Sequence, residues 1–173
     1  QACATCHVPE AGWAGDDTRI NEAGAVYEGS IPGEFGNRKP PSSAYASLAP
    51  VFYQDISEDP YEPLFVGGNF WDGRATGWKL GNPAADQAQG PFLNPVEQAL
   101  PDAACVVYRV CTASYPVAFT EVWGPEACAI DWPDDVETVC ATEGATVALD
   151  TDDRMQSAQT YNNIALSIAA YED

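Results

Sequence analysis

The chain of 173 residues is poor in histidine, methionine and cationic residues. It has one histidine, one methionine and two lysines, and its 7 Lys and Arg residues stand against 26 Asp and Glu, for a formal net charge of -19. Nucleic-acid binding is excluded, because contacts to phosphates need a basic patch that this chain cannot assemble. The acidic surface favours solubility and would attract cationic partners in a salt-dependent way.

Long hydrophobic runs are also missing from the sequence. No stretch approaches the roughly 20 apolar residues that cross a bilayer, so we expect no membrane-spanning segment. With 46% hydrophobic residues, 14 Gly and 14 Pro, the composition is typical of a compact protein rich in loops. The length predicts one domain, residues 1–173, large enough to bury a core around a cofactor.

A Cys-x-x-Cys-His motif stands at the beginning of the sequence, as Cys3, Cys6 and His7. Zinc would need four ligands, and the chain has neither a second histidine nor a second Cys-x-x-Cys pair. The motif instead predicts one covalently attached haem c, with both cysteines bonded to the porphyrin and His7 as the proximal iron ligand. Since haem c is attached outside the cytoplasm, we expect a periplasmic or extracellular protein.

Four further cysteines, Cys105, Cys111, Cys128 and Cys140, form an even set in a chain expected to be exported. They predict two disulfides. A bond from Cys105 to Cys111 is the least favourable pairing, because six helical residues rise about 9 Å, beyond bridging distance. Each of these two cysteines is therefore expected to pair with Cys128 or Cys140.

The predicted fold is mainly α, a cytochrome c-like domain with a single haem and long loops. Residues 8–50 are rich in Gly, Pro, Ser and Asn and indicate loops with short helical turns. Asn82 can cap a helix that begins at Pro83 and ends at Gly90.

Two more helices are predicted towards the carboxyl end of the chain. One covers part of residues 113–124 and ends at Gly124. The other lies within residues 153–173, where Tyr161, Ile164 and Ile168 follow a helical spacing. This apolar face is expected to pack on other apolar groups, and a haem edge is a good candidate.

The sixth ligand of the iron decides between functions. His7 is the only histidine, so a second histidine from this chain cannot bind the iron. Met155 would give a six-coordinate haem for electron transfer, and the alternative for Met155 is a core or surface side chain. Otherwise the position is open or holds a weaker donor such as Tyr27, Lys39 or the amino group of Gln1. An open iron can bind peroxide.

Several segments match a known family in order. The chain resembles the amino-terminal haem domain of bacterial di-haem cytochrome c peroxidases from about Cys3 to Glu97, and again near its end. The segments are CATCHVPEAGW, FGNRKPPSSAYA, NFWDGRATG, DQAQGPFLNPVEQ and YNNIALSIAAYE.

The resemblance implies that this haem is the peroxidatic one, reducing hydrogen peroxide with electrons from a partner haem or domain. It assigns catalytic roles to Gln87 and Glu97 on the distal side of the haem, the side on which peroxide binds. A positioned carboxylate such as Glu97 can move a proton between the peroxide oxygens, and Gln87 would orient the peroxide by a hydrogen bond.

The same resemblance implies further haem-binding residues. Trp71 and Arg74 look like the family's haem-proximal tryptophan and arginine, and Arg74, with Arg38, would hold a haem propionate. The alternatives are a turn in which Asp72 and Arg74 fix a loop, and a tryptophan that belongs to the core.

The sequence also departs from the family pattern. The switchable distal histidine expected in residues 20–36 is absent, and Tyr45 replaces an expected asparagine ligand of the interdomain calcium site, which weakens the expectation of calcium. Residues from about 129 to 154 are interpreted as an insertion. The competing functions are a non-enzymatic electron-transfer cytochrome c and one haem station in a larger cytochrome assembly.

Overall fold

The computed structural model describes residues 2–16, 26–57 and 59–173 and is mainly helical. Short 3-10 helices lie at Cys3–Thr5, Pro9–Ala11, Ala46–Leu48 and Pro125–Cys128. Two antiparallel strands pair as a hairpin, β1 (Tyr53–Asp55) with β2 (Leu64–Val66). The α-helices of the described part are α1 (Pro83–Ala88), α2 (Gly90–Leu93), α3 (Ala103–Cys111), α4 (Pro116–Trp123), α5 (Val136–Cys140) and α6 (Thr151–Tyr171).

The first α-helix begins where the sequence predicts. The Asn82 side chain accepts hydrogen bonds from the amides of Ala84 at 2.8 Å and Ala85 at 3.4 Å, which satisfies two amides that the first turn of a helix leaves without partners. The predicted end at Gly90 is two residues late. Helix α1 stops at Ala88 because the ring of Pro91 would clash with a carbonyl four residues earlier in a continuous helix.

The long helix α6 organises the core, as its predicted apolar face implies. At one position Ala165 and Ala169 pack against the buried alanines of α1, so the two helices approach closely. At another, Tyr161 and Ile164 pack on Val106 and Val107 of α3. The polar residues of this helix that are buried are Ser157, Thr160 and Asn163.

Two disulfides fix the segment that follows α3. Cys105 pairs with Cys140 and Cys111 pairs with Cys128, with Cα atoms 5.5 and 5.4 Å apart. The prediction of two disulfides that avoid a Cys105 to Cys111 bond is confirmed. The segment interpreted as an insertion packs through Val136 and Val147 on the buried start of α3.

Helix α4 ends before Gly124, as predicted, and Gly124 has φ 90°. The predicted loops of residues 8–50 contain two 3-10 helices, and residues 17–25 lie outside the described part. Helix α5 and the β-hairpin are not predicted from the sequence, because α5 has only five residues and both strands expose most of their side chains. No helix within the described residues has the length and apolar character needed to cross a membrane.

Candidate functional site

The Cys-x-x-Cys-His motif forms a single tight turn. The amide of His7 donates to the carbonyl of Cys3 at 2.9 Å, and the amide of Cys6 donates to the same carbonyl at 3.1 Å. Neither cysteine is in a disulfide, whereas the other four all are. This turn holds Cys3, Cys6 and His7 close together along the main chain, as the predicted haem attachment requires.

The His7 ring is oriented by a hydrogen bond to the main chain. Its Nδ1 atom lies 3.0 Å from the carbonyl oxygen of Trp13 and donates to it. A carbonyl partner on one ring nitrogen fixes the tautomer and leaves Nε2 as the nitrogen that can bind a metal. The ring is therefore prepared for axial ligation.

An apolar cavity of about 400 Å³ is connected to this turn through Gln98. Gln98 is one of the residues that line the cavity, and its side-chain amide lies 3.8 Å from the Cys3 sulfur. Its apolar walls come mainly from α3, α4 and α6 and include Val106, Val110, Phe119, Ile164 and Ile168. The volume falls within the range of cofactor pockets, and apolar walls suit a porphyrin. Two cysteines outside any disulfide, an oriented histidine and an adjacent apolar cavity fit a haem c.

Glu97 is held in a turn that follows α2. Its Oε1 atom accepts a hydrogen bond of 2.7 Å from Nδ2 of Asn94. The carbonyl of Asn94 accepts from the amides of Glu97 and Ala99, both at 3.0 Å, and Ala99 adopts φ 56°, a left-handed conformation. The turn therefore fixes both the backbone and the carboxyl group of Glu97.

The environment of Glu97 favours its protonated form. Burial raises the pKa of this carboxyl above its ordinary value, and the Asn94 hydrogen bond and the charge of His7 oppose that rise. The same carboxylate helps to raise the pKa of the Cys6 thiol, after burial as the main cause. Glu97 is thus within electrostatic range of residues about 90 positions earlier in the chain. A carboxyl group in such surroundings can hold a proton and release it.

Gln87 lies in α1 and is half-buried. Within the described residues, no hydrogen bond joins Gln87 to Glu97. The helix that carries Gln87 is anchored to α6, both by its alanine face and by a bond of 2.8 Å from the Gln89 side chain to Asn162. Gln87 is therefore on a rigid element, and its catalytic role stays a prediction.

Trp71 and Arg74 lie on a surface turn. Trp71 is 77% exposed. Nη1 of Arg74 donates to both carboxylate oxygens of Asp72, at 2.9 and 3.1 Å, and its guanidinium stacks 3.8 Å from the Phe70 ring centre. This is the loop-fixing turn considered as an alternative above. Arg38 is exposed, and the propionate role of both arginines stays a prediction.

The residues considered as sixth ligands of the haem iron lie in different parts of the structure. Met155 is 61% exposed, near the beginning of α6. The first residue of α6 in the cavity wall is Ile164, nine residues and about 13 Å further along the helix axis. Tyr27 accepts a hydrogen bond of 2.6 Å from the Asp16 amide, Lys39 is half-buried, and Gln1 lies outside the described residues.

Other residues of the site are not predicted from the sequence. Asn94 and Gln98 lie close to Glu97 in the same sequence motif. Their closeness to a predicted catalytic carboxylate is the only sequence feature that could have marked them as site residues. Arg109 on α3 lines the cavity, but nothing in the sequence of this helix distinguishes Arg109 from a surface arginine.

Tyr45, at the position expected to bind calcium, has φ 60°, a conformation that asparagine adopts more readily than tyrosine. Among the described residues, no group of three or more His, Cys, Asp or Glu side chains is arranged to hold a metal ion.

These features define a haem c-binding domain, and comparison with known proteins gives the family. The family model of di-haem cytochrome c peroxidases matches residues 1–173. The chain belongs to this family, which confirms the resemblance described above.

Individual relatives agree with this assignment. The chain is 39% identical over 126 residues to the methylamine utilization protein MauG of Paracoccus denitrificans (strain Pd 1222), a match covering 72% of this chain and 29% of that protein. It is similar in fold to the diheme peroxidase BthA of Burkholderia thailandensis E264, with a TM-score of 0.69, 24% identity, and coverage of 99% of this chain and 33% of that one. A variant of BthA matches with a TM-score of 0.63 and 27% identity over 94% of this chain and 34% of its own. The chain thus spans about a third of the length of the relatives it matches.

Proposed function

We propose that this chain is a peroxidatic haem c domain that reduces hydrogen peroxide. Cys3 and Cys6 would hold one haem covalently, and His7 would be the proximal ligand of its iron. The observation that carries the proposal is the placement of Glu97, a half-buried carboxyl held by Asn94 and adjacent in sequence to Gln98, whose side-chain amide lies 3.8 Å from the Cys3 sulfur. Burial also raises the pKa of this carboxyl. Family membership agrees with this reading.

Within the proposal, the haem iron held by His7 would supply the site of peroxide binding and reduction. Glu97 would accept a proton from one peroxide oxygen and return it to the other, which leaves as water. Gln87 donates a hydrogen bond that orients the peroxide. Asn94 holds the Glu97 carboxyl in place through its bond of 2.7 Å. Two electrons and two protons are consumed for each peroxide reduced to two waters.

The electrons must come from outside the single haem that this chain can attach. We propose a partner haem or a second haem domain as the donor, because the family is di-haem and this chain spans about a third of the relatives it matches. Attachment of haem c further implies that the domain works in the periplasm or outside the cell. Calcium is not part of the proposal.

The proposal is tested by peroxide turnover of the haem-loaded chain with a reduced dye as electron donor. Glu97→Gln keeps the shape of the side chain but removes the proton acceptor, so turnover should fall by about 10²-fold or more. Glu10→Gln is the matched control, because Glu10 is exposed and lies three residues from His7. Equal turnover of the Glu97→Gln variant and the control would contradict the assigned proton transfer.

The electron-transfer alternative, with Met155 on the iron, stays a prediction with its own test. Ligation by Met155 would give a low-spin ferric spectrum with a weak far-red band, which Met155→Leu would abolish. The exposure of Met155 and its distance along α6 from the cavity wall favour the peroxidatic function over this alternative.

A further inference from the structure

Residues 26–36 form a short hairpin that lies, in sequence, between the haem-attachment motif and the Glu97 turn. The amide of Gly29 donates to the carbonyl of Glu34 at 2.7 Å, and the amide of Gly36 donates to that of Tyr27 at 3.0 Å. The carboxylate of Glu28 accepts a bond of 2.7 Å from an amide at the tip of the hairpin. The hairpin is therefore closed by its own main-chain and side-chain bonds.

One strand of this hairpin is in direct backbone contact with the Glu97 turn. The amide of Ser30 donates to the carbonyl of Glu97 at 2.6 Å. Beside it, Gly29 lies so close to the same turn that a Cβ atom on it would be 2.5 Å from the carbonyl oxygen of Val96 and 2.9 Å from that of Glu97. Such distances are far inside van der Waals contact, and the obstructing atoms are main-chain atoms that cannot rotate away.

Gly29 is required here for close approach, and not for backbone conformation. Gly29 does not have a positive φ, whereas Gly33 at the hairpin tip has φ 85°. Any larger residue at position 29 must separate the hairpin from the Glu97 turn or distort that turn.

We propose that Gly29 is a positioning residue for Glu97, holding its carboxyl beside the haem-attachment turn by letting the 26–36 hairpin bond to the Glu97 backbone. This inference rests on the proposed function, because it assigns Gly29 to the same proton transfer. The charged groups that act on the pKa of the Glu97 carboxyl are His7 and Arg74. The carboxylate in turn raises the pKa of the Cys6 thiol, and none of these three residues belongs to the hairpin.

The hairpin offers a matched control for the test. Gly36 is also a hairpin glycine without a positive φ, and a Cβ atom there would meet its nearest neighbours at 3.8 and 4.0 Å, ordinary contact distances. Gly36→Ala therefore adds the same methyl group to the same hairpin without touching the Glu97 turn.

The first test is a double-mutant cycle on the rate constant for the reaction of the haem-loaded chain with peroxide. Gly29→Ala should lower this rate constant about tenfold or more, within the 10²- to 10⁴-fold that a positioned acid–base group contributes. Gly36→Ala should leave it within about twofold. In a Glu97→Gln background, Gly29→Ala should have less than about a twofold effect, because residues that act through one another are not additive. An equal loss in both backgrounds, or no loss in either, would overturn the proposal.

The second test does not depend on peroxide chemistry. The ferric haem spectrum is titrated with pH, and the titration step that disappears in Glu97→Gln reports the Glu97 carboxyl. Gly29→Ala should shift the midpoint of this step to lower pH, since a separated hairpin exposes the carboxyl to water and removes the burial that raises its pKa. An unchanged midpoint would overturn the positioning role, whereas failure of the wild-type chain to react with peroxide would refute only the proposed function.

Glu28→Ala is a second, milder variant in case Gly29→Ala yields no haem-loaded protein. It removes the exposed carboxylate that closes the hairpin tip and leaves the Glu97 turn itself untouched. It should shift the same midpoint in the same direction by a smaller amount, and a midpoint equal to that of the wild type would then overturn the proposal.

Discussion

At the scale of single residues, Glu97 is fixed by its backbone as much as by its side chain. The turn after α2 provides the Asn94 bond to the carboxyl, and the Ser30 amide bonds to the Glu97 carbonyl from a distant part of the chain. An isolated glutamate that follows a proline and a valine would be interpreted from sequence as a surface residue. Only the family motif singles it out, because the contacts that bury it join residues far apart in sequence.

Glu172, near the end of α6, provides a pH-dependent prediction for stability. Burial raises its pKa to about 7 from an ordinary value near 4.5. The folded state therefore binds this proton more tightly than the unfolded state, so the contribution to stability is complete below about pH 4.5 and is lost as the pH rises towards 7. Glu172→Gln should raise the melting temperature at pH 8 relative to the wild type.

The comparison at pH 4 completes this test. There the glutamate is protonated in both states, so the two proteins should melt at nearly the same temperature. A stabilisation of equal size at both pH values would show that the titration of Glu172 is not its cause.

At the scale of elements, α1 depends on its capping residue. Asn82→Ala removes the acceptor for two first-turn amides and should cost about 1 kcal/mol in the free energy of unfolding. Chemical denaturation measures the change. Asn82→Asp keeps a side-chain oxygen at the cap and should restore most of the loss, and a loss as large as that of the alanine variant would argue against capping.

The disulfides are expected to differ in their contribution to stability. Replacing both Cys105 and Cys140 by serine should cost roughly 2–5 kcal/mol. The pair of Cys111 and Cys128 closes a loop of 17 residues and not 35, so its removal should cost about 0.6 kcal/mol less in chain entropy. Urea denaturation of the two double variants measures both losses, and a larger loss for the shorter loop would contradict this entropic ranking.

The sequence predicts some elements well and others poorly, for physical reasons. Asn82 with Pro83, and the helical spacing of Tyr161 and Ile164, are local signals, so α1 and α6 could be predicted. Two of the three possible disulfide pairings remained after the sequence analysis, because helix geometry separates Cys105 from Cys111. The β-hairpin and the cavity wall could not be predicted, because they depend on contacts between distant segments.

At the scale of the whole molecule, the acidic surface should influence the choice of electron donor. With a formal net charge of -19, the chain attracts cationic molecules over distances that salt screens. The rate of haem reduction by a small cationic redox protein should therefore fall steeply as salt is raised from low to physiological concentration. An anionic donor should show the opposite trend, and a cationic donor insensitive to salt would exclude electrostatic steering.

The surface of the domain carries several exposed aromatic residues. Phe65, Trp71 and Trp78 lie largely on its surface, although large aromatic side chains are usually buried. The chain covers about a third of its relatives, and a partner haem domain is the proposed electron donor. We expect the exposure of these three residues to decrease when such a partner binds.

The most direct test of the central claim is the absorption spectrum of the haem-loaded ferric chain before and after addition of hydrogen peroxide. The peroxidatic account predicts a high-spin spectrum whose main band changes rapidly with peroxide, and a change at least about 10²-fold slower in Glu97→Gln. A low-spin spectrum with a weak far-red band, unaffected by peroxide and altered by Met155→Leu, would contradict the account and identify an electron-transfer haem.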